Sequence, residues 1–178
     1  MKLIQKAFLF AYEAHKNQFR KGGKPYISHP FTVATELAKN GASDELICAG
    51  LLHDVIEDAG VTQREIQEKF GEKIARLVRE DSEDKSLSWE QRKQSTLNEL
   101  KNGNREMCML VCADKLANLR EIYEQLELGN ADVWSRFKRG KDKQEWLYRE
   151  MLDVLSPVDD LKMYKELNTL TDKVFGSK

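Results

Sequence analysis

Apolar residues recur at helical spacing along almost the whole chain, and no run of strict apolar–polar alternation suggests a strand. That property restricts the architecture to helices packed on helices. A first helix is expected over about Leu3 to Gln18. Pro30 sits near the start of a second, HPFTVATELAKNG, which Gly41 stops. Ser43 caps a third, with Asp44 and Glu45 complementing its N-terminal dipole, and this one runs to about Asp58–Gly60. TQRE (62–65) is a capping box opening a short helix that Gly71 closes, and another covers about 72–79. EDSEDKSLS is the most loop-like segment, after which Ser88 caps WEQRKQSTLNELK. NGN turns into the long apolar helix REMCMLVCADKLANLREIYEQLE, ended by Gly129. Asp132 is expected to cap one helix, VWSRFKRGKDKQEWLYREMLDVL, which Pro157 breaks before a last amphipathic helix to about Val174.

With 178 residues, 40% of them hydrophobic, the chain is expected to be one all-α domain over 1–178, its core about 3–155 and its C-terminal helix about 158–174. Twenty-nine basic against thirty acidic residues demand neither nucleic acid nor an anionic membrane as partner, although a local basic cluster could bind a small anion. The segment MKLIQKAFLFAYEAHKNQ is interrupted by Gln5, Lys6 and Glu13 and lacks a small-residue cleavage site, so it reads as a first helix rather than a signal peptide. No apolar run approaches the ~18 residues of a membrane span. Cys48, Cys108 and Cys112, odd in number and in apolar surroundings, read as free thiols in a reducing cytoplasm. Cys108 and Cys112 are one turn apart, a weak metal signal on their own. An exposed face on the C-terminal helix could pair chains into an oligomer.

The chemistry concentrates in GLLHDVIEDAG (50–60). At about 100° per residue, His53, Asp54, Glu57 and Asp58 share an arc of about 140°, opposite Leu51, Leu52, Val55 and Ile56. An acidic solvent face is the alternative reading. Two other segments bear on it. PYISHP puts His29 at a helix start, and CMLVCADKLANL puts Asp114 in an apolar run, where a carboxylate must be paired or coordinate a cation. The simple alternative for Asp114 is an ion pair with Lys115 or an arginine. Two imidazoles and two carboxylates suit a hard-to-borderline divalent ion such as Mn²⁺, with positions left for water and a phosphate oxygen.

This ordered H…HD…D set resembles the HD-domain phosphohydrolases. FRKGGKPYISHP, AGLLHDVIEDAGVTQREIQEKFGEKIARLV and CADKLANLREI look like the hydrolase domain of Rel/Spo-type alarmone enzymes, and over about residues 3–155 the chain is most similar to the small alarmone hydrolases, which lack a synthetase domain. The resemblance implies an all-α, single-domain HD helical bundle in which His29, His53, Asp54 and Asp114 bind one Mn²⁺ that lowers the pKa of a bound water. It implies that Glu57 and Asp58 position or deprotonate that water; the alternative is an exposed acidic helix end. Arg20 and Lys21 match a basic pair that contacts base and phosphate, and Asn118 a position that contacts the sugar. Solvated loop charges and a helix-surface amide are the respective alternatives. Lys85 and the cluster Arg136, Lys138, Arg139 and Lys141 are further candidates for phosphate contact, or solvated charges. The chain departs from the pattern at Ala59 and Glu121, where threonine is common, and an acid at 121 disfavours close phosphate contact. His15 matches nothing and is expected on a helix surface.

The expected function is that of a cytoplasmic, Mn²⁺-dependent hydrolase removing the 3′-pyrophosphate of (p)ppGpp to give GDP or GTP. Its partner is a small nucleotide, with no nucleic acid and no membrane, and the length is expected to leave no room for a synthetase. The alternatives are the same chemistry on another nucleotide such as (p)ppApp or NADPH, a non-catalytic nucleotide-sensing module, and a structural helical protein.

Overall fold

A computed structural model describes residues 2–177. The regular elements among the described residues are all helices, with one isolated antiparallel bridge, Phe19 to Pro25, as the sole strand-like pairing. The chain runs through α1 (Leu3–His15), α2 (Ser28–Lys39), α3 (Asp44–Leu52), α4 (Val55–Ala59), α5 (Gln63–Phe70), α6 (Glu72–Asp81), α7 (Trp89–Lys101), α8 (Arg105–Glu127), α9 (Gly140–Val154) and α10 (Lys162–Phe175), with short 3₁₀ turns before and after α9. Helix α8 is the axis, with every side chain from Met107 to Asp114 buried. Helices α2, α3, α6 and α10 pack around it, α1 covers α3, and α9 packs between α7 and α10.

The predicted caps form. Ser43 Oγ accepts from Leu46 N at 3.3 Å, Thr62 and Glu65 exchange bonds of 3.2 and 2.8 Å, and Ser88 and Gln91 bonds of 3.2 and 2.9 Å. Each contributes about 1 kcal/mol by satisfying amides that the first helical turn leaves without partners. Cys48, Cys108 and Cys112 are free and buried, and burial pushes the Cys48 and Cys112 thiols up to about 11 and about 12, where they are chemically quiet. Among the described residues, no helix is long and apolar enough to cross a membrane.

Four expectations need correction. The third helix does not continue to Asp58: it stops at Leu52 and restarts as α4 at Val55. His53 Nδ1 donates to the Gly50 carbonyl at 2.9 Å, and Asp54 sits at φ −90°, ψ −7°. A side chain that takes a main-chain carbonyl competes with the helical ladder at that point. The single helix expected from Asp132 is instead a 3₁₀ segment, Ala131–Arg136, followed by α9. Phe137 is extended there, and Gly140 adopts φ +70°, a conformation that side-chain-bearing residues rarely take. Helix α1 ends at His15 rather than near Gln18. His15 itself is 1% exposed, not on the surface, because the 18–26 loop folds back over the end of α1 and lays the Tyr26 ring on it.

Gly50 is fixed by close approach. A Cβ there would lie 2.6 Å from Leu37 Cδ1 and 3.4 Å from both Ala34 Cα and Val33 Cγ1, and Leu37 is fully buried with nowhere to swing. Overpacking of this kind costs about 1–3 kcal/mol, of which helix propensity returns about 1 kcal/mol. Gly50→Ala is therefore expected to lower the free energy of unfolding by about 1 kcal/mol in a denaturant titration.

Candidate metal centre

Three elements bring the metal-site candidates together. His29 stands in the first turn of α2, His53 and Asp54 form the break between α3 and α4, and Asp114 projects from the middle of α8. The break matters: it turns both side chains toward α8, where a continuous helix would spread them. His29 Nε2 lies 3.0 Å from Asp114 Oδ1 and 3.7 Å from Asp54 Oδ2, and His53 Nε2 lies 3.2 Å from Asp54 Oδ2 and 3.7 Å from Asp114 Oδ1. The two Nε2 atoms are 3.2 Å apart. His29, His53 and Asp114 form the tight buried group, and Asp54 joins it through Oδ2, which also accepts from the Tyr26 hydroxyl at 2.7 Å.

These separations fit a cation. Donors at about 2.1 Å from a metal lie about 3.0 Å apart in cis-octahedral positions and about 3.4 Å apart in a tetrahedron. Protons alone do not satisfy the cluster. Each histidine would need Nε2–H for its nearest carboxylate, which sets two hydrogens against each other across 3.2 Å. The His53 Nδ1 bond to the Gly50 carbonyl fixes the proton on that nitrogen and turns Nε2 inward, as ligating histidines do.

Charge in the cluster settles on one ring. Burial works against protonated His53, yet Asp54 and Asp114 outweigh it and hold its pKa well above the ordinary histidine value. Burial lowers His29 below that value, against the pull of Asp114. Burial would raise Asp54 and Asp114 as well, but His53 holds the first, and Lys115 with both histidines the second, below the usual carboxylate range. A cation needs neutral His53 as ligand, so its binding must expel that proton. Titrating a divalent cation at pH 7 by calorimetry in two buffers of different ionisation enthalpy is expected to report release of about one proton per ion. Release should fade as the pH rises through the His53 value.

Glu57 and Asp58, one turn on, sit at the edge of the cluster. Burial raises the Glu57 carboxyl, and Glu83 N donates to its Oε2 at 3.3 Å. Lys85 Nζ reaches Glu57 O and Asp58 Oδ1, both at 2.7 Å, so in this structure it faces the acid pair. Asp81 also lines the cluster, and burial near Asp114 and Asp54 pushes its carboxyl up to about 7. Lys115 Nζ lies 2.7 Å from Asp114 Oδ2, and Lys93 binds Glu83.

The metal-site cavity, about 180 Å³, adjoins a larger one of about 710 Å³, and Arg20, Tyr26, Lys93, Lys115 and Asn118 line both. Arg20 Nη2 donates to Asn118 Oδ1 and Glu121 Oε2, each at 2.6 Å, while Asn118 Nδ2 donates to Asp114 Oδ1 at 2.7 Å. Asn118 is thus a half-buried link between the large cavity and the metal cluster. Lys21 stands at the mouth, its Nζ 2.7 Å from the Arg136 carbonyl and 4.8 Å from the centre of the Phe137 ring. Burial, then Arg20, Arg136 and Lys138, depress its pKa. Arg139 is paired with Glu90 and Lys141 lies over Trp134, both away from the cluster. Tyr26, Asp81, Lys93 and Lys115 were not singled out from the sequence as site residues. Tyr26 lay inside the quoted PYISHP, which is the one signal that could have found it.

The chain matches the HD domain family model over residues 7–142. It is 31% identical over 173 residues to a guanosine-3′,5′-bis(diphosphate) 3′-pyrophosphohydrolase of Aquifex aeolicus, covering 97% of this chain and 23% of the relative. It therefore spans under a quarter of that relative's length. It is 37% identical over 124 residues to the guanosine-3′,5′-bis(diphosphate) 3′-pyrophosphohydrolase MESH1 of Xenopus tropicalis, covering 67% of this chain and 69% of the relative. Among solved structures it resembles a metazoan SpoT ortholog described as hydrolysing ppGpp, with a TM-score of 0.79, 25% identity, and coverage of 98% of this chain and 94% of that one.

Proposed function

The chain belongs to the HD-domain family, and from that premise we propose that it is a Mn²⁺-dependent hydrolase that removes the 3′-pyrophosphate of (p)ppGpp, acting in the cytoplasm as one domain spanning residues 1–178. One observation carries the reading: four converging donors lie behind a cavity large enough for a nucleotide, and cationic side chains line the passage between them. The names of the relatives point to the guanine alarmone.

In this reading His29, His53, Asp54 and Asp114 hold the ion. When bound, the ion supplies Lewis-acid stabilisation of charge on the attacked phosphoryl group. Glu57 and Asp58 orient the attacking water and take its proton, and burial raises the Glu57 carboxyl, which favours it as a proton acceptor. Lys93 and Lys115 face the passage as phosphate-directed charges. Arg20 offers a guanidinium face to the base, Asn118 meets the sugar, and Lys21 and Lys85 meet the outer phosphates. Glu121 stays neutralised by Arg20, which removes the repulsion that an acid in this cavity would exert on phosphate.

Turnover of the purified protein with Mn²⁺ on ppGpp, pppGpp, ppApp and NADPH tests the reading. Preference for the guanosine compounds is expected. Preference for ppApp or NADPH would move the substrate, and no turnover with metal bound would favour a nucleotide-sensing role.

A further inference from the structure

Tyr26 is not among the metal donors, yet its hydroxyl joins the two halves of the site. Its Oη lies 2.7 Å from Asp54 Oδ2 and 2.8 Å from Asp58 Oδ2. A phenol has one proton and so donates to one carboxylate at a time.

The ring that carries this hydroxyl is held on purpose-built support. It stacks on His15 with centroids 4.6 Å apart and planes at 21°, and the Arg20 guanidinium lies 5.6 Å from its centre. Tyr26 N donates to Gln18 O at 2.9 Å. The Gln18 side chain then reaches the Asp58 carbonyl with Nε2 at 2.6 Å. A carbonyl only accepts, so the amide must present its NH₂ there, and Gln18 Oε1 must face His15 Nδ1, 2.7 Å away. His15 Nδ1 is thereby the donor, and its Nε2 is buried with no partner among the described residues. The end of α1, the 18–26 loop and the end of α4 are locked together around Asp58.

We propose that Tyr26 is a positioning residue that aims the Asp58 carboxylate by donating its phenol proton to it from beside Asp54, with Gln18 fixing the Asp58 main chain and His15 bracing both. With a cation held by Asp54 that carboxylate would be the poorer acceptor, and the phenol proton would be left to Asp58. The inference rests on the hydrolase reading above, since it gives Asp58 a reaction to be positioned for.

The test is a double-mutant cycle of wild type, Tyr26→Phe, Asp58→Asn and the double variant. Phenylalanine keeps the stack on His15. Tyr26→Phe is expected to lower kcat about tenfold, with KM and Mn²⁺ affinity unchanged within about threefold. In the Asp58→Asn background the same change should cost less than about threefold. An equal loss in both backgrounds, an unchanged kcat, or a loss confined to Mn²⁺ affinity would each overturn the proposal. Melting temperatures of the same four proteins with Mn²⁺ separate it from the hydrolase reading. A non-additive shift of about 2 °C or more in a protein without turnover would sink that reading and keep the coupling. Additive shifts in such a protein would sink both.

Discussion

If the proposed function holds, Asp114→Ala is expected to abolish turnover and remove divalent-cation binding in one step. Asp114 is the carboxylate that the central helix presents to the cluster, and its two oxygens serve four groups: His29 Nε2 at 3.0 Å, His53 Nε2 at 3.7 Å, Asn118 Nδ2 at 2.7 Å and Lys115 Nζ at 2.7 Å. Losing a ligand of the ion forfeits several kcal/mol of transition-state stabilisation, on the order of 10³-fold or more in rate. The variant also strands a buried ammonium on Lys115, and breaking a buried pair from one side costs about 3–5 kcal/mol. Asp114→Asn separates the two effects. It retains an acceptor for Lys115, so it should lose the metal with a smaller drop in stability. Calorimetric Mn²⁺ titration and thermal denaturation of both variants check this. Retention of a wild-type Mn²⁺ affinity by either would remove Asp114 from the ligand set.

The second large effect is at the acid pair. Glu57→Gln is expected to reduce kcat by about 10²–10⁴-fold, the range for loss of a general base, while Mn²⁺ binding persists. Burial raises the Glu57 carboxyl, and the base must be ionised to work, so kcat/KM should fall on the acid side at a pH above that of an ordinary glutamate. That limb should vanish in Glu57→Gln. A variant with wild-type kcat, or one that loses the metal as well, would place Glu57 outside the proposed role.

Much of this was readable beforehand, because it depends on local chemistry. The caps at Ser43, Thr62 and Ser88, and the bounds of α8, follow from side chains that satisfy helix-end amides and from an unbroken apolar run. His29, His53, Asp54 and Asp114 could be named as candidates from the ordered H…HD…D pattern, the cost of a carboxylate at 114 in an apolar run and the family resemblance, and the fold brings the four side chains together. The break at His53–Asp54 was not readable. It turns on one side-chain bond to the Gly50 carbonyl, which leaves the apolar periodicity of the segment unchanged. Asp81 and Lys93 were equally hidden: they are ordinary charges in α6 and α7 until those helices pack beside α8. His15 shows the reverse error, a polar residue at a helix end that becomes buried when a loop closes over it. Glu121 was read as an obstacle to phosphate, and only the fold reveals that Arg20 neutralises it.

The most direct test of the central claim is a ³¹P NMR time course of ppGpp with the purified protein and Mn²⁺, run beside Asp54→Ala. Intact pyrophosphate and GDP appearing together, and absent with the variant, is the predicted result. Stepwise release of orthophosphate, or equal product from Asp54→Ala, would contradict it.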